Sequence, residues 1–404
     1  MSFDRTRMPP QHRRPPPRRL RWLASLILAV VVVSGATAAL TEAADRDGLS
    51  RSPSVARTPS PPSASRSSRE PSPTPVRAGG VYAAITSGRL SSRVAGIRQR
   101  VYVPNNDSGT VDVIDPATFR VVDHFAVGSG PQHVTPSWDL KHLYVGNTYS
   151  NTVTVIDPRT GKPTGTIPLP DTYNLYFTPD GSRAIDVAER LQTLFFYDPH
   201  TWKEVGSLRI PFAGADHLDF SADGSYLLLS TEFAGELVKV DPVHPRILGA
   251  LHVGGSPVDV KLSPDGTVFY VANQVRGGVS VVDPVRMKER AFIPTGKGAH
   301  GFAVSRDARD LYVSNRLGGT ISVISFATRR VTATWNVGGS PDMLQVTPNG
   351  RELWVSNRFG GTVSVVDTRT GKVLHVIAVG SSPHGLTYFP QPGRFSIGHN
   401  GVYR

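Results

Sequence analysis

The chain has 404 residues, no cysteine and a net charge of +12. That charge is unevenly placed: residues 1–100 hold 17 Lys and Arg against 5 Asp and Glu, whereas residues 101–404 hold 27 of each. A body without net charge has no overall field to draw in a polyanion, which argues against nucleic-acid binding. The lack of cysteine excludes disulfides, thiolate metal ligands, thiol catalysis and lipidation on Cys.

Residues 1–21 carry seven arginines, and residues 22–40, "WLASLILAVVVVSGATAAL", carry no charge. A basic stretch before an apolar run is an export signal, and Ala36-Thr37-Ala38 has the small-residue form of a cleavage site. A run of about 19 residues is also long enough to span a bilayer. Residues 1–40 therefore read as a basic N-terminus with a signal peptide or a membrane anchor. Either way the remainder is placed outside the cytoplasmic membrane, extracellular or at the cell surface. Membrane contact is expected through residues 22–40 alone. Residues 41–79 are rich in Ser, Pro and Arg and poor in large apolar residues. Such a segment cannot bury enough surface to fold, so a disordered linker is expected.

The rest, residues 80–404, is written in repeats. Residues 311–324 read "LYVSNRLGGTISVI" and residues 353–366 read "LWVSNRFGGTVSVV". Aligned on the Asn, seven copies place Asn105, Asn147, Ala188, Thr231, Asn273, Asn315 and Asn357 at intervals of 41 to 43. The Asp ten residues on recurs as Asp115, Asp157, Asp198, Asp241, Asp283 and Asp367, with Ser325 in the sixth copy. Within a copy, "DLYVSN", "TISVIS", "VTATWNV" and "DMLQVT" have the short, alternating pattern of strands, separated by Gly-rich turns. Four short strands per period of about 40–45, without helices, predict an all-β fold: a seven-bladed β-propeller of four-stranded antiparallel blades over residues 101–389. The first copy begins mid-blade and "PHGLTYF", residues 383–389, is left over. The ring closes if that strand completes the first blade. Residues 390–404 read as an eighth, partnerless copy of the second strand, lying across a blade or capping one face.

The segments "YVPNNDSGTVDVID", "YVGNTYSNTVTVID", "YVANQVRGGVSVVD" and "VSNRFGGTVSVVD" resemble the YVTN family of β-propellers. The resemblance implies a secreted or surface propeller and assigns no single activity, since similar propellers include sugar lactonases as well as proteins without assigned catalysis.

Residues shared by every blade are expected to be scaffold, and those that differ along one row to carry function. The row after the start of each innermost strand is Gln132, Asn174, Asp216, Val258, His300, Asp342 and His384, spaced by 42. The next position adds His133, His217, Asp259 and Met343. Gln132, His133, Asn174, Asp216, His217, Asp259, His300, Asp342 and His384 are thus the candidate ligand-binding residues at the mouth of the central channel. No cofactor is predicted. Should a divalent metal bind, imidazole and carboxylate suit it, and His300 with His384 are the candidate ligands. Neighbouring strand residues point to opposite faces, so His133 and His217 are not expected to join that pair. Glu189 and Glu232, in the two copies that depart most from the repeat, are candidates for an acid pair. No catalytic residue set can be named. The leading expectation is a monomeric, non-catalytic surface module that binds a protein or cell-envelope component. The alternative is a lactonase-like or metal-dependent enzyme using the mouth's His and Asp.

Overall fold

The computed structural model describes residues 80–404. The expected signal or anchor at 1–40 and the linker at 41–79 lie outside the described residues. Among the described residues, no helix is long and apolar enough to cross a membrane.

Twenty-eight strands form seven antiparallel four-stranded sheets. Six are contiguous in sequence, within residues 131–167, 172–209, 215–252, 257–294, 299–336 and 341–378, and are called blades 2 to 7. Blade 1 is the exception: its inner strand, Thr387–Phe389, pairs with Arg100–Asn105, followed by Thr110–Asp115 and Arg120–Ala126. The pairing of Val101 with Tyr388 closes the ring as the sequence predicts and removes the open edges. The inner strand proper is shorter than the leftover segment, because Pro383 meets Asn105 through an isolated bridge only.

Each blade follows its residue pattern outward. Inner strands are buried on both faces, as in Pro257–Leu262, while outer strands alternate, as in Arg330–Asn336. Apolar side chains from adjacent blades pack in the clefts between them, with Trp354, Val365 and Tyr388 joining the last blade to the first. The recurrent polar residues are scaffold. Asp115, Asp157, Asp283 and Asp367 accept hydrogen bonds from the backbone two residues on, and Asn105, Asn147, Asn315 and Asn357 donate across their own hairpins to a threonine.

The inner strands of blades 2 to 7 each carry an irregularity where they begin. In blade 2 Pro131 pairs with Asn147 and Val134 with Val145, so two residues oppose one. Blades 4 to 7 repeat this at 216–217, 258–259, 300–301 and 342–343. A β-bulge breaks the strict alternation of side-chain direction.

The segment that starts at residue 80 and the C-terminal tail cover one face of the ring, where the inner strands finish. Val81 N–H donates to Pro264 O at 2.9 Å and the Tyr82 hydroxyl to Leu262 O at 2.8 Å. The tail at 390–404 folds back on itself through Ser396 and Tyr403 and pairs Gly398 with Tyr176. Arg404 is locked against Asp219 at 2.6 Å and over the Tyr82 ring. The tail therefore caps a face, and it also enters the axis.

Candidate functional site at the channel mouth

The opposite face, where inner strands begin, carries the candidate residues in three tiers. The outermost tier comes from the turn after each second strand. Tyr149, Leu191, Phe233, Val275, Leu317 and Phe359 stand 42 residues apart and are all exposed, from 43% for Leu191 to 77% for Val275. Their seats are glycines: Gly214 and Gly298 have positive φ, and a Cβ there would meet Phe233 or Leu317 at 2.7–2.8 Å.

One residue earlier in each turn, and two earlier in blade 3, lies the collar of the mouth: Asn106, Thr148, Glu189, Glu232, Gln274, Arg316 and Arg358. The backbone sets its height. The amides of Glu232, Gln274, Arg316 and Arg358 donate to the carbonyls of Gly214, Ser256, Gly298 and Ser340 at 2.7–3.1 Å. The collar is divided by charge. Acid lies on blades 3 and 4, and arginine on blades 6 and 7. Gln274 joins the halves, donating to Glu232 at 2.6 Å and accepting from Arg316 at 3.2 Å. Burial, then the charges of Asp216 and the other glutamate, pushes Glu189 up to about 8. Burial and Asp216 push Glu232 up to about 7, with Arg316 opposing.

Beneath the collar is the floor, centred on Asp342, which is fully buried. Arg316 Nε donates to its Oδ1 at 2.7 Å and His384 Nδ1 to its Oδ2 at 2.6 Å. His300 Nδ1 lies 3.1 Å from Oδ1, and Arg358 is 3.7 Å from Oδ2. Burial alone would raise this carboxyl, but Arg316, His300 and His384 hold it well below the usual carboxylate range. Burial pulls both imidazoles down, His384 to about 4, so they are neutral at pH 7.

The histidines converge, contrary to the strand-alternation expectation. Ring centroids are 4.6 Å apart for His133 and His384, 5.2 Å for His133 and His217, 6.3 Å for His217 and His300, and 5.9 Å for His300 and His384. The bulges are the reason, since they turn both residues of the irregular step toward the axis. His300 and His384, the candidate metal pair, leave no lone pair free. Arg316 donates to His300 Nε2, and the Tyr173 hydroxyl reaches His384 Nε2 at 3.4 Å. The metal-ligating geometry falls instead on His133, His217 and His399, whose ligand atoms lie within 4.8 Å of one another.

Of the other expected residues, Asp216 lies 2.8 Å from His217, Asn174 meets His399 at 2.9 Å, and Asp259 lies 3.8 Å from His399. Gln132 is buried and its Oε1 accepts no hydrogen bond. The sequence reading missed Arg316, Arg358, Gln274, Tyr173, His399 and Asn400. The collar residues sit inside the stretch that looked like scaffold. Their signal is the same one that exposed the floor, a variable position flanked by invariant ones at a period of 42. His399 and Asn400 had no such signal, because the tail lies outside the repeats.

A family model described as a YNCE-like beta-propeller matches residues 80–392. The chain belongs to the YNCE-like β-propeller family. A search of curated proteins returns no match. Among solved structures, this YNCE-like propeller is similar to a functionally unknown protein from Desulfotomaculum acetoxidans DSM 771 at 15% identity and TM-score 0.62, covering 72% of this chain and 98% of that one. It is also similar to a putative 6-phosphogluconolactonase from Bacteroides fragilis NCTC 9343, at 19% identity and TM-score 0.60, covering 74% and 99%. Hydrazine synthase of Kuenenia stuttgartiensis aligns at 20% identity and TM-score 0.59, covering 66% and 92%. At these identities the shared property is the fold.

Proposed function

We propose that this YNCE-like propeller, built of YVTN-type repeats, is an exported, cell-surface binding module that docks a protein partner on its open face without catalysing a reaction. The observation that carries this reading is the exposed tier of Tyr149, Leu191, Phe233, Val275, Leu317 and Phe359 around a charged mouth. Large apolar side chains repeated in register and left in water do nothing for the fold. Contiguous apolar surface rimmed by polar groups is the mark of an interaction surface, and aromatic anchors carry most of such binding energy. The collar adds selectivity. A chain segment bearing a cationic and an anionic group would meet Glu189 and Glu232 on one side and Arg316 and Arg358 on the other. Export follows from the basic stretch and apolar run at residues 1–40.

The test is retention of envelope proteins on the immobilised full chain, compared with a Phe233→Ser, Leu317→Ser, Phe359→Ser variant. A protein held by the unaltered chain and lost at least tenfold by the variant supports the reading. Equal retention, or none by either, contradicts it.

A second reading rests on the collar glutamates. Two carboxyls poised near neutral pH have the protonation behaviour of a general acid and base. A hydrolase of the lactonase type would use them, with Arg316 or Arg358 stabilising developing negative charge. Lactone hydrolysis that falls at least a hundredfold in Glu189→Gln and Glu232→Gln would favour it. Unchanged background hydrolysis would remove it.

A further inference from the structure

We propose that His133, His217 and His399 bind a single divalent transition-metal ion of the copper–zinc class on the ring axis. The site is shared between two blades and the C-terminal tail, so it is complete only when the tail is docked.

The three rings are fully buried and lie edge to face or tilted, with centroids 5.2 Å apart for His133 and His217, 4.6 Å for His217 and His399, and 4.9 Å for His133 and His399. Each has a polar side chain behind its Nδ1, although the Asp216–His217 contact is not aligned as a hydrogen bond. Asn400 Oδ1 lies 2.8 Å from His133 Nδ1 and Asp216 Oδ1 2.8 Å from His217 Nδ1. Asn174 lies 2.9 Å from His399 Nδ1. A partner on one ring nitrogen, leaving the other for the ion, is the usual support of a metal-bound imidazole.

The freed nitrogens follow from hydrogen-bond chemistry. His133 Nδ1–H donates to the Asn400 oxygen, so Nε2 keeps its lone pair, and that atom has no partner. His217 Nε2 has none either. His399 faces two side-chain amides, Asn174 at Nδ1 and Asn400 at Nε2, the latter 3.3 Å away. A neutral imidazole has one acceptor nitrogen, so both amides cannot donate to it. Asn400 is fixed by His133, which requires its oxygen. The Asn174 oxygen, which accepts from Leu175 N–H at 3.0 Å, must therefore turn to His399 Nδ1 when an ion takes Nε2, exchanging that bond for one from the Tyr176 hydroxyl 3.1 Å away. The lone pair of His399 is then on Nε2, where the ion takes the place of the Asn400 amide.

Imidazole nitrogens in a buried pocket suit copper or zinc rather than magnesium or calcium. Ligand nitrogens at 2.0–2.1 Å from a tetrahedral ion stand roughly 3.4 Å apart, so the group closes by about an ångström on binding. Asp216 has both oxygens without an aligned donor, and Asp259 Oδ1 is also unpartnered. These carboxylates supply the negative charge a dication needs, offset by one ammonium, Lys261, 3.9 Å from Asp259. Buried groups left unsatisfied in this number call for a partner.

The experiment uses the full chain, stripped with chelator and titrated separately with Cu²⁺ and Zn²⁺. One equivalent of either ion is expected to bind, and the Cu²⁺ form should show electron paramagnetic resonance splitting from three nitrogens. His399→Ala should weaken affinity by about a hundredfold or more and Asn400→Ala by about tenfold. His124→Ala, on the outer surface, should leave it unchanged. No stoichiometric binding of either ion, a copper spectrum with fewer than two nitrogens, or full affinity in a folded His399→Ala protein overturns the proposal. The spectrum of the unaltered chain decides the matter even if the variant fails to fold.

Discussion

The two faces of the ring are built from the same seven blades and treated in opposite ways. On the closed face the segment around Tyr82 and the C-terminal tail supply the cover. Arg404 is matched to Asp219, the Arg306 guanidinium to Thr347 O at 2.9 Å, and Tyr82 and Tyr403 fill the apolar gaps. On the open face nothing in the described residues covers six large apolar side chains, and the mouth below them separates acid from base. The contrast shows where folding has been satisfied and where it has not. A buried pair or a filled gap explains itself through stability. Exposed aromatic anchors over a divided charge do not, and they are the ground for the partner docking proposed above.

The largest expected effects come from removing the charge hub of each face. Asp342→Ala strands Arg316 in a nearly closed site, and Asp219→Ala strands Arg404. Breaking a buried pair by deleting one partner costs roughly 3–5 kcal/mol. Both variants should lower the unfolding free energy measured by denaturant titration by that amount, but only Asp342→Ala should also weaken partner binding. Equal loss of binding in both would erase the distinction between the faces.

A middle-sized effect separates the tiers of the open face by pH. Glu189 and Glu232 have folded pKa values of about 8 and about 7 against an ordinary 4.5. The folded state then holds more protons than the unfolded one between these values, so their contribution is full below about 4.5 and is lost as pH rises toward 8. His384, lowered from 6.5 to about 4, works in the other direction. Its contribution is full above 6.5 and is lost as pH falls toward 4. Stability is expected to peak between these limits. Glu189→Gln and Glu232→Gln should each stabilise the protein at pH 8 by about 1–3 kcal/mol and flatten the alkaline slope. Melting curves across pH 4–9 check this; an unchanged alkaline slope in both variants would show that the collar carboxyls are ordinary.

The smallest effect on stability belongs to the apolar tier. Phe233→Ser with Phe359→Ser should change unfolding free energy by less than about 0.5 kcal/mol per site while reducing partner binding at least tenfold. Val376→Ser, equally exposed but on an outer strand, should change neither. A large destabilisation by the phenylalanine pair would make that tier structural.

The sequence made the architecture legible because a period of 42 repeats every turn and strand, and the leftover strand at the end of the last copy announced how the ring closes. The floor of the mouth was legible for the same reason: Asp342, His300 and His384 break a row. Two physical effects hid the rest. Strand alternation predicted divergence for His133 and His217, and the bulges at the start of the inner strands overrode it. The collar arginines were hidden by the near-identity of their two copies, since Arg316 and Arg358 look like scaffold until compared with Glu189, Glu232 and Gln274. His399 belongs to no row, and its place on the axis depends on how the tail folds back through Gly398 and Tyr176, a long-range contact without a local signature.

The central claim is that one face receives a partner and the other is occupied by the protein itself. Photo-reactive side chains installed singly at Phe233 and Phe359 on the open face, and at Leu90 and Arg93 on the closed one, test it in the cells that make the protein. The prediction is a cross-linked product of the same size from both open-face positions and none from the closed face. Products from Leu90 and Arg93 alone, or from all four positions alike, would contradict the account.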